Sequence, residues 1–311
     1  MVFHCLKNIV SYDTIYCILN DTVGGDMRFS KTIKFIRETL GLNQGEFASK
    51  IGVERLAIIR WENDKVVPSK IVQTRLYEIV KKNNISVYNS LIENIPKYKL
   101  ENNILTLYHS SKAGIQGSIK PISRNHCDFG SGFYMGNQVQ QPLTLVCTNP
   151  KSMLYVVELD LTDLKIVEVE PSIDWALLIG YYRGKLEGIK ETKLYEKYKK
   201  MLFNCDVVVG SIADDRIFYV LDRFFEGTIT DKGLIESLSA LQLGVQYVAI
   251  TQKACKQIKI VYKEELSEFM KLYLEDISEQ NRQYGITTAN EICRTYRREG
   301  RYFDEILKEG K

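Results

Sequence analysis

Histidine is scarce, with three among 311 residues, and this excludes a histidine-built metal centre. No stretch approaches the roughly 18 consecutive apolar residues of a membrane span, so an integral membrane protein is excluded. The seven cysteines, at positions 5, 17, 127, 147, 205, 255 and 293, are odd in number and never spaced as CxxC. Neither a disulfide framework nor a zinc finger is therefore indicated, and the thiols read as reduced, mostly buried small hydrophobes. A GxxxxGK[ST] run is missing, and Gly130-Ser131-Gly132 leads into Phe133-Tyr134 as an aromatic turn rather than opening a helix. This argues against a P-loop or Rossmann nucleotide site. The first residues lack the basic start and small-residue cleavage site of a secretory signal, so a cytoplasmic location is expected.

What is present is ordinary globular composition, 45% hydrophobic and 26% charged. The length suggests about two domains. The net charge of +3 is unevenly placed: residues 27–90 hold twelve Lys/Arg against six Asp/Glu, whereas residues 1–26 hold Lys7 against Asp13, Asp21 and Asp26. One short segment thus carries all the excess positive charge, the footprint of a nucleic-acid-binding module on a near-neutral body. Segment 1–26 has no clear period, and Gly24-Gly25-Asp26 directly precedes Met27. It is expected to be disordered or an over-extended gene start, with Met27 the true initiator.

Residues 27–90 read as a helical bundle. Ile33, Phe35, Ile36, Leu40 and Leu42 give a first amphipathic helix, stopped at Gly41. Asn43 followed by Glu46 is a capping box for a second helix with Phe47, Ala48 and Ile51 on its apolar face. Gly52 turns the chain, a third helix over 54–63 buries Ile58 and Trp61, and Pro68-Ser69 opens a fourth with Val72, Leu76, Ile79 and Val80. The run from Leu40 to Ser69 resembles the lambda-repressor-like helix-turn-helix family. The resemblance implies a third helix in the DNA major groove, with Gln44, Arg55, Ala57, Ile59 and Arg60 as the DNA-facing candidates, and Lys50, Lys65 and Lys70 on the phosphate backbone. Ala57 and Ile59 can touch thymine methyls but cannot hydrogen-bond bases, which predicts modest specificity.

Residues 91–103 read as a linker, because Pro96 and Asn102-Asn103 interrupt the helical pattern. Residues 104–262 read as an α+β domain. Strands are expected at 104–109, 144–148, 153–159, 164–168, 206–210, 246–250 and 258–262, and helices at 172–183, 191–203, 215–226 and 231–240. Residues 263–311 read as a helical tail.

Three segments stand out: Leu107-Tyr-His-Ser-Ser111, Ser123 to Gly136 with its "DFGSGFYMG" run, and Leu243 to Ile250 with "VQYVAI". Together they resemble the ADP-ribosyltransferase superfamily, in the branch carrying His, Tyr and Glu or Gln, and within it a bacterial family of unknown function often encoded beside a small partner gene. The resemblance implies a split sheet with NAD as cosubstrate. It implies His109, Tyr134 and Gln246 as the catalytic set, and Ser110, Arg124, Gly130, Gly132 and Asp215 as cofactor contacts. Breaking a nicotinamide–ribose bond builds positive charge on the sugar, and a carboxylate is the natural group to meet it. Gln246 occupies that place, and a neutral amide cannot be a general base, so Asp214 and Asp215 are the candidate substitutes.

Two functions follow. One is a transferase moving ADP-ribose from NAD to a macromolecule, joined to a DNA-binding regulator in a toxin–antitoxin-like locus with a small antitoxin-like partner. The other is a transcription regulator whose pocket senses a nucleotide without turnover.

Overall fold

A computed structural model describes residues 29–123, 126–241 and 244–309. The proposed start at Met27, the extension 1–26 and Arg124 lie outside the described residues. Helices come first, a mixed sheet with helices follows, and the C-terminal region is helical.

The opening helices are α1 (Phe29–Thr39), α2 (Gln44–Ile51), α3 (Arg55–Glu62), α4 (Lys70–Lys82) and α5 (Tyr88–Ile92). Asn43 caps α2: its side chain accepts from the amides of Gly45 and Glu46, and the Glu46 carboxylate accepts from the Asn43 amide at 2.8 Å. Gly52 ends α2 at φ 81°, a left-handed conformation that a β-carbon disfavours. Ile33, Ile36, Phe47, Ile51, Ile58, Trp61, Leu76 and Val80 form the buried face. Phe35, expected in that face, is 41% exposed. Ser30 and Thr32 are buried instead, and Thr32 pairs its hydroxyl with that of Ser90 at 3.0 Å.

The sheet contains β1 (Lys99–Glu101), β2 (Ile104–Ser111), β3 (Phe133–Gly136), β4 (Met153–Asp160), β5 (Ile166–Val169), β6 (Val207–Ser211), β7 (Val245–Ala249) and β8 (Ile258–Glu265). Their order is β5-β6-β7-β3-β2-β4-β8, with β1 on β2. Every pairing is antiparallel except β5 with β6. β2 pairs with β4 over its whole length, but with β3 only at Tyr108↔Gly136. The sheet is therefore two half-sheets held by a single register pair, and the seam between them opens at His109.

Alternation along the strands sorts the side chains. Leu105, Leu107, Phe133, Met135, Tyr155, Val157, Tyr247 and Ala249 build one core across both halves. On the alternate positions, Val208 and Val248 pack with α7 (Ile173–Tyr182), α8 (Lys193–Met201), α9 (Asp215–Phe225) and α10 (Asp231–Ala240), while the short α11 (Gln252–Lys256) packs on the first core. Tyr108, Leu154 and Val156 share a core with the N-terminal helices, with α6 (Gln140–Val146) and with the start of α12 (Glu268–Thr295).

Four local expectations are corrected. Residues 144–148, rich in β-formers, belong to α6 and its end. Pro142, Leu143 and Val146 bury one helical face there, and the Thr144 hydroxyl donates back to the Gln140 carbonyl at 3.1 Å. The aromatic turn expected at Phe133-Tyr134 is strand β3, clamped between β2 and β7. Residues 99–101, expected as linker, form a hairpin with β2 through Asn102 (φ 50°) and Asn103 (φ 66°), two left-handed residues that match a tight hairpin turn. The tail begins later than expected: β8 runs to Glu265, and α12 and α13 (Phe303–Glu309) follow.

Candidate active site

The site is built where the two half-sheets part. Beyond Tyr108 the backbones of β2 and β3 no longer pair, and the His109 ring spans the opening. Its Nδ1 lies 2.7 Å from the Tyr134 carbonyl oxygen. A carbonyl only accepts, so Nδ1 carries the proton and Nε2 is left as an acceptor in the neutral ring. Burial lowers the imidazole pKa below its ordinary value, against the raising effect of the Tyr134 carbonyl. The ring stacks on Phe133 at 4.2 Å between centroids. Ser110 follows directly, and its Oγ is buried without a hydrogen-bond partner.

Tyr134 lies on β3 opposite Val248. Its hydroxyl donates to the Gly130 carbonyl at 2.7 Å and accepts from the Phe129 amide at 3.0 Å. Burial pushes the phenol pKa well above the ordinary tyrosine range. The turn it grips is packed tightly. A β-carbon on Gly130, at φ 76°, would come within 2.7 Å of the Tyr182 ring, and one on Gly132 within 2.5 Å of Val248 Cγ1. The close approach that these glycines allow is to protein side chains.

Gln246 sits on β7 between Gly136 on β3 and Gly210 on β6. Only 5% exposed, it donates through Nε2 to Asp128 Oδ2 at 2.9 Å and to the Ser211 carbonyl at 3.0 Å. Asp128 is itself buried. It accepts from Arg183 Nη2 at 2.8 Å and from the Ala213 amide at 3.3 Å. The Arg183 guanidinium lies 3.3 Å over the centre of the Phe218 ring.

Tyr134 and Gln246 thus meet on the turn Asp128-Phe129-Gly130, on one face of the sheet. His109 reaches the same strand through the Tyr134 carbonyl but stacks on Phe133, which belongs to the other face. The three are joined through β3 rather than by direct side-chain contact.

The carboxylates expected to assist are placed elsewhere. Asp214 caps α9, accepting from the amides of Arg216 and Ile217 and pairing with the Arg216 side chain. Asp215 is exposed on the first turn of α9. Asp128 stands inside the glycine-rich run, but sequence spacing does not tie it to Gln246, 118 residues away. A cavity of about 290 Å³ opens beside Arg183, lined also by His126, Gly180, Lys185, Phe218 and Phe225. His109, Tyr134 and Gln246 do not line it. No group of three or more His, Cys, Asp or Glu among the described residues could hold a metal ion. No described helix is long and apolar enough to cross a membrane.

In the N-terminal helices, Arg55 and Arg60 are exposed on α3, Ile59 is half-buried, and Ala57 packs against the bundle core. Gln44 is occupied: its amide donates to Glu62 at 2.9 Å, and Glu62 is paired with Arg37 at 2.5 Å.

These features define an α+β domain with a mixed, nearly parted sheet and a polar cluster beside the parting. The family described as "Protein of unknown function (DUF3990)" matches residues 105–260, half of the chain, and the chain belongs to that family. No curated protein and no solved structure matches it.

Proposed function

We propose that the domain over 104–262 is an ADP-ribosyltransferase-like enzyme using NAD as cosubstrate, fused to a DNA-binding helix-turn-helix module over 27–90. The observation that carries the reading is the seam at His109. There a neutral imidazole has an open acceptor at Nε2, and the next residue holds a buried hydroxyl with no partner. Unsatisfied buried polar groups are uncommon in folded proteins and call for a ligand or water. Both groups suit the hydroxyl- and amide-rich surface of a dinucleotide.

NAD, when bound, supplies an ADP-ribosyl group: its bond to nicotinamide breaks with the electron pair leaving on nicotinamide, and an acceptor nucleophile bonds to the ribose carbon and gives up its proton. The chain's part is to orient and to exclude water. His109 accepts from a ribose hydroxyl, Ser110 adds a second polar contact, and Tyr134 supports the turn that walls the site. Incubation with labelled NAD and cell lysate tests this. Nicotinamide release and label transfer are expected from the wild type and not from His109→Ala.

One observation favours the second reading, a nucleotide-sensing regulator: Gln246 is neutral and nearly fully buried. NAD binding without nicotinamide release would select it.

For the helical module, support comes from exposed Arg55 and Arg60 on α3, from the turn at Gly52, and from the segment's excess of basic residues. The expected DNA affinity falls steeply with salt and falls again in the Arg55→Ala/Arg60→Ala variant. Salt-insensitive retention would exclude groove contact. A toxin–antitoxin-like setting belongs to the same proposal.

A further inference from the structure

Position 246 carries an amide where the transferase reading would want a carboxylate, and the surroundings explain how an amide fits. Both acceptors facing Gln246 Nε2 are oxygens, one from Asp128 and one from the Ser211 main chain. Its two N–H groups are therefore both spent inward, and the flip state of the amide is fixed by its partners. Among the described residues, Oε1 accepts no hydrogen bond. We propose that Asp128 is a positioning residue that locks Gln246 with its nitrogen inward, so that Gln246 presents an oxygen acceptor to a ribose hydroxyl in place of a carboxylate. The chemistry rests on the transferase reading; the locked geometry does not.

The placement has three supports. Asp128 is held from its other side by Arg183, whose guanidinium is braced on Phe218, so the carboxylate cannot turn away from Gln246. Its neighbour Phe129 is seated against Gly210, where a β-carbon would come within 2.7 Å of the ring. The Tyr134 hydroxyl ties Phe129 and Gly130 to β3. The turn carrying Asp128 is thus fixed on three sides before any ligand arrives. Donation of both N–H groups to an anion and a carbonyl also polarises the amide and strengthens its oxygen as an acceptor.

The arrangement makes an unusual prediction. Gln246→Glu, the change that would restore a carboxylate if Gln246 were a degenerate glutamate, instead sets two acceptors against Asp128 and the Ser211 carbonyl. Asp128→Asn with Gln246→Glu exchanges the amide and the carboxylate and restores a donor–acceptor pair. Full-length wild type, Gln246→Glu, Asp128→Asn and the double variant are compared by thermal melting, by NAD binding and by nicotinamide release.

Gln246→Glu is expected to melt below the wild type, and the double variant to melt above Gln246→Glu. Asp128→Asn is expected to lower kcat by about tenfold or more with KM for NAD changed by less than about threefold, the split expected of lost transition-state contact rather than lost binding. Gln246→Glu melting at or above the wild type, or releasing nicotinamide faster, overturns the proposal. So does a double variant no better than Gln246→Glu, and so does Asp128→Asn turning over like the wild type. A wild type that neither binds NAD nor releases nicotinamide removes the transferase reading, and the melting comparison then still decides whether Asp128 locks Gln246.

Discussion

Single side chains in this domain act through the main chain of β3 and its preceding turn. The Tyr134 hydroxyl is one example: it joins the Phe129 amide and the Gly130 carbonyl. Tyr134→Phe leaves both unpaired, and the expected cost is about 1–3 kcal/mol, read as a lowered melting temperature with loss of amide protection at Phe129. Gly210→Ala forces the Phe129 ring aside and presses on the Val169 carbonyl. The expected cost is again about 1–3 kcal/mol, read as a lowered melting temperature. His109 gives a pH signature. Its folded pKa lies below its unfolded value of 6.5, so between the two the unfolded chain binds more protons. Its contribution is fully present above 6.5 and is lost as pH falls below that value. Melting temperatures measured from pH 7.5 to 5.5 are expected to fall more steeply for the wild type than for His109→Gln.

Among the elements, α12 is the unusual one. Its 28 residues begin in one core, with Phe269 and Met270 buried among the N-terminal helices, and end in another, with Ala289 and Cys293 among α9, α10 and α13. Residues 279–284 between them are exposed on every side. A helix that is polar all round survives when both ends are anchored. Asn281→Pro removes one backbone hydrogen bond and clashes with the preceding turn, at about 3 kcal/mol or more. Limited proteolysis is expected to cut this variant within 279–284 while the wild type resists.

Across the whole molecule, the N-terminal helices are attached to the rest by named contacts rather than by a free tether. The Tyr77 hydroxyl donates to Asp276 at 2.6 Å, Lys81 pairs with Asp276 at 2.8 Å, and the Gln73 side-chain oxygen accepts from the Phe269 amide at 3.1 Å. Burial opposes ionisation of Asp276, yet Lys81 and Tyr77 together hold its pKa below the ordinary value of 3.8. This contribution is present above 3.8 and is lost as pH falls through the lower folded value. Asp276→Ala is expected to lower hydrogen-exchange protection in α4 while leaving the β2–β4 ladder unchanged. The reverse pattern would mean that the link is ornamental.

Residue chemistry and local pattern were enough to locate much of this. The Asn43–Glu46 cap, the turn at Gly52, helix α10 over its full range and the long strands β2 and β4 all follow from rules acting over a few residues: capping valences, the left-handed freedom of glycine, and two- or 3.6-residue periods. His109, Tyr134 and Gln246 stand out in the sequence by residue type and motif, and their role belongs to the proposal. Tertiary structure alone decided the rest. Burial against the N-terminal core turned the β-rich 144–148 segment into helix. Long-range pairing made Phe133-Tyr134 a strand. Contact across 118 residues joined Asp128 to Gln246. Such choices depend on which groups the fold brings within hydrogen-bond reach, and sequence separation carries no information about that distance.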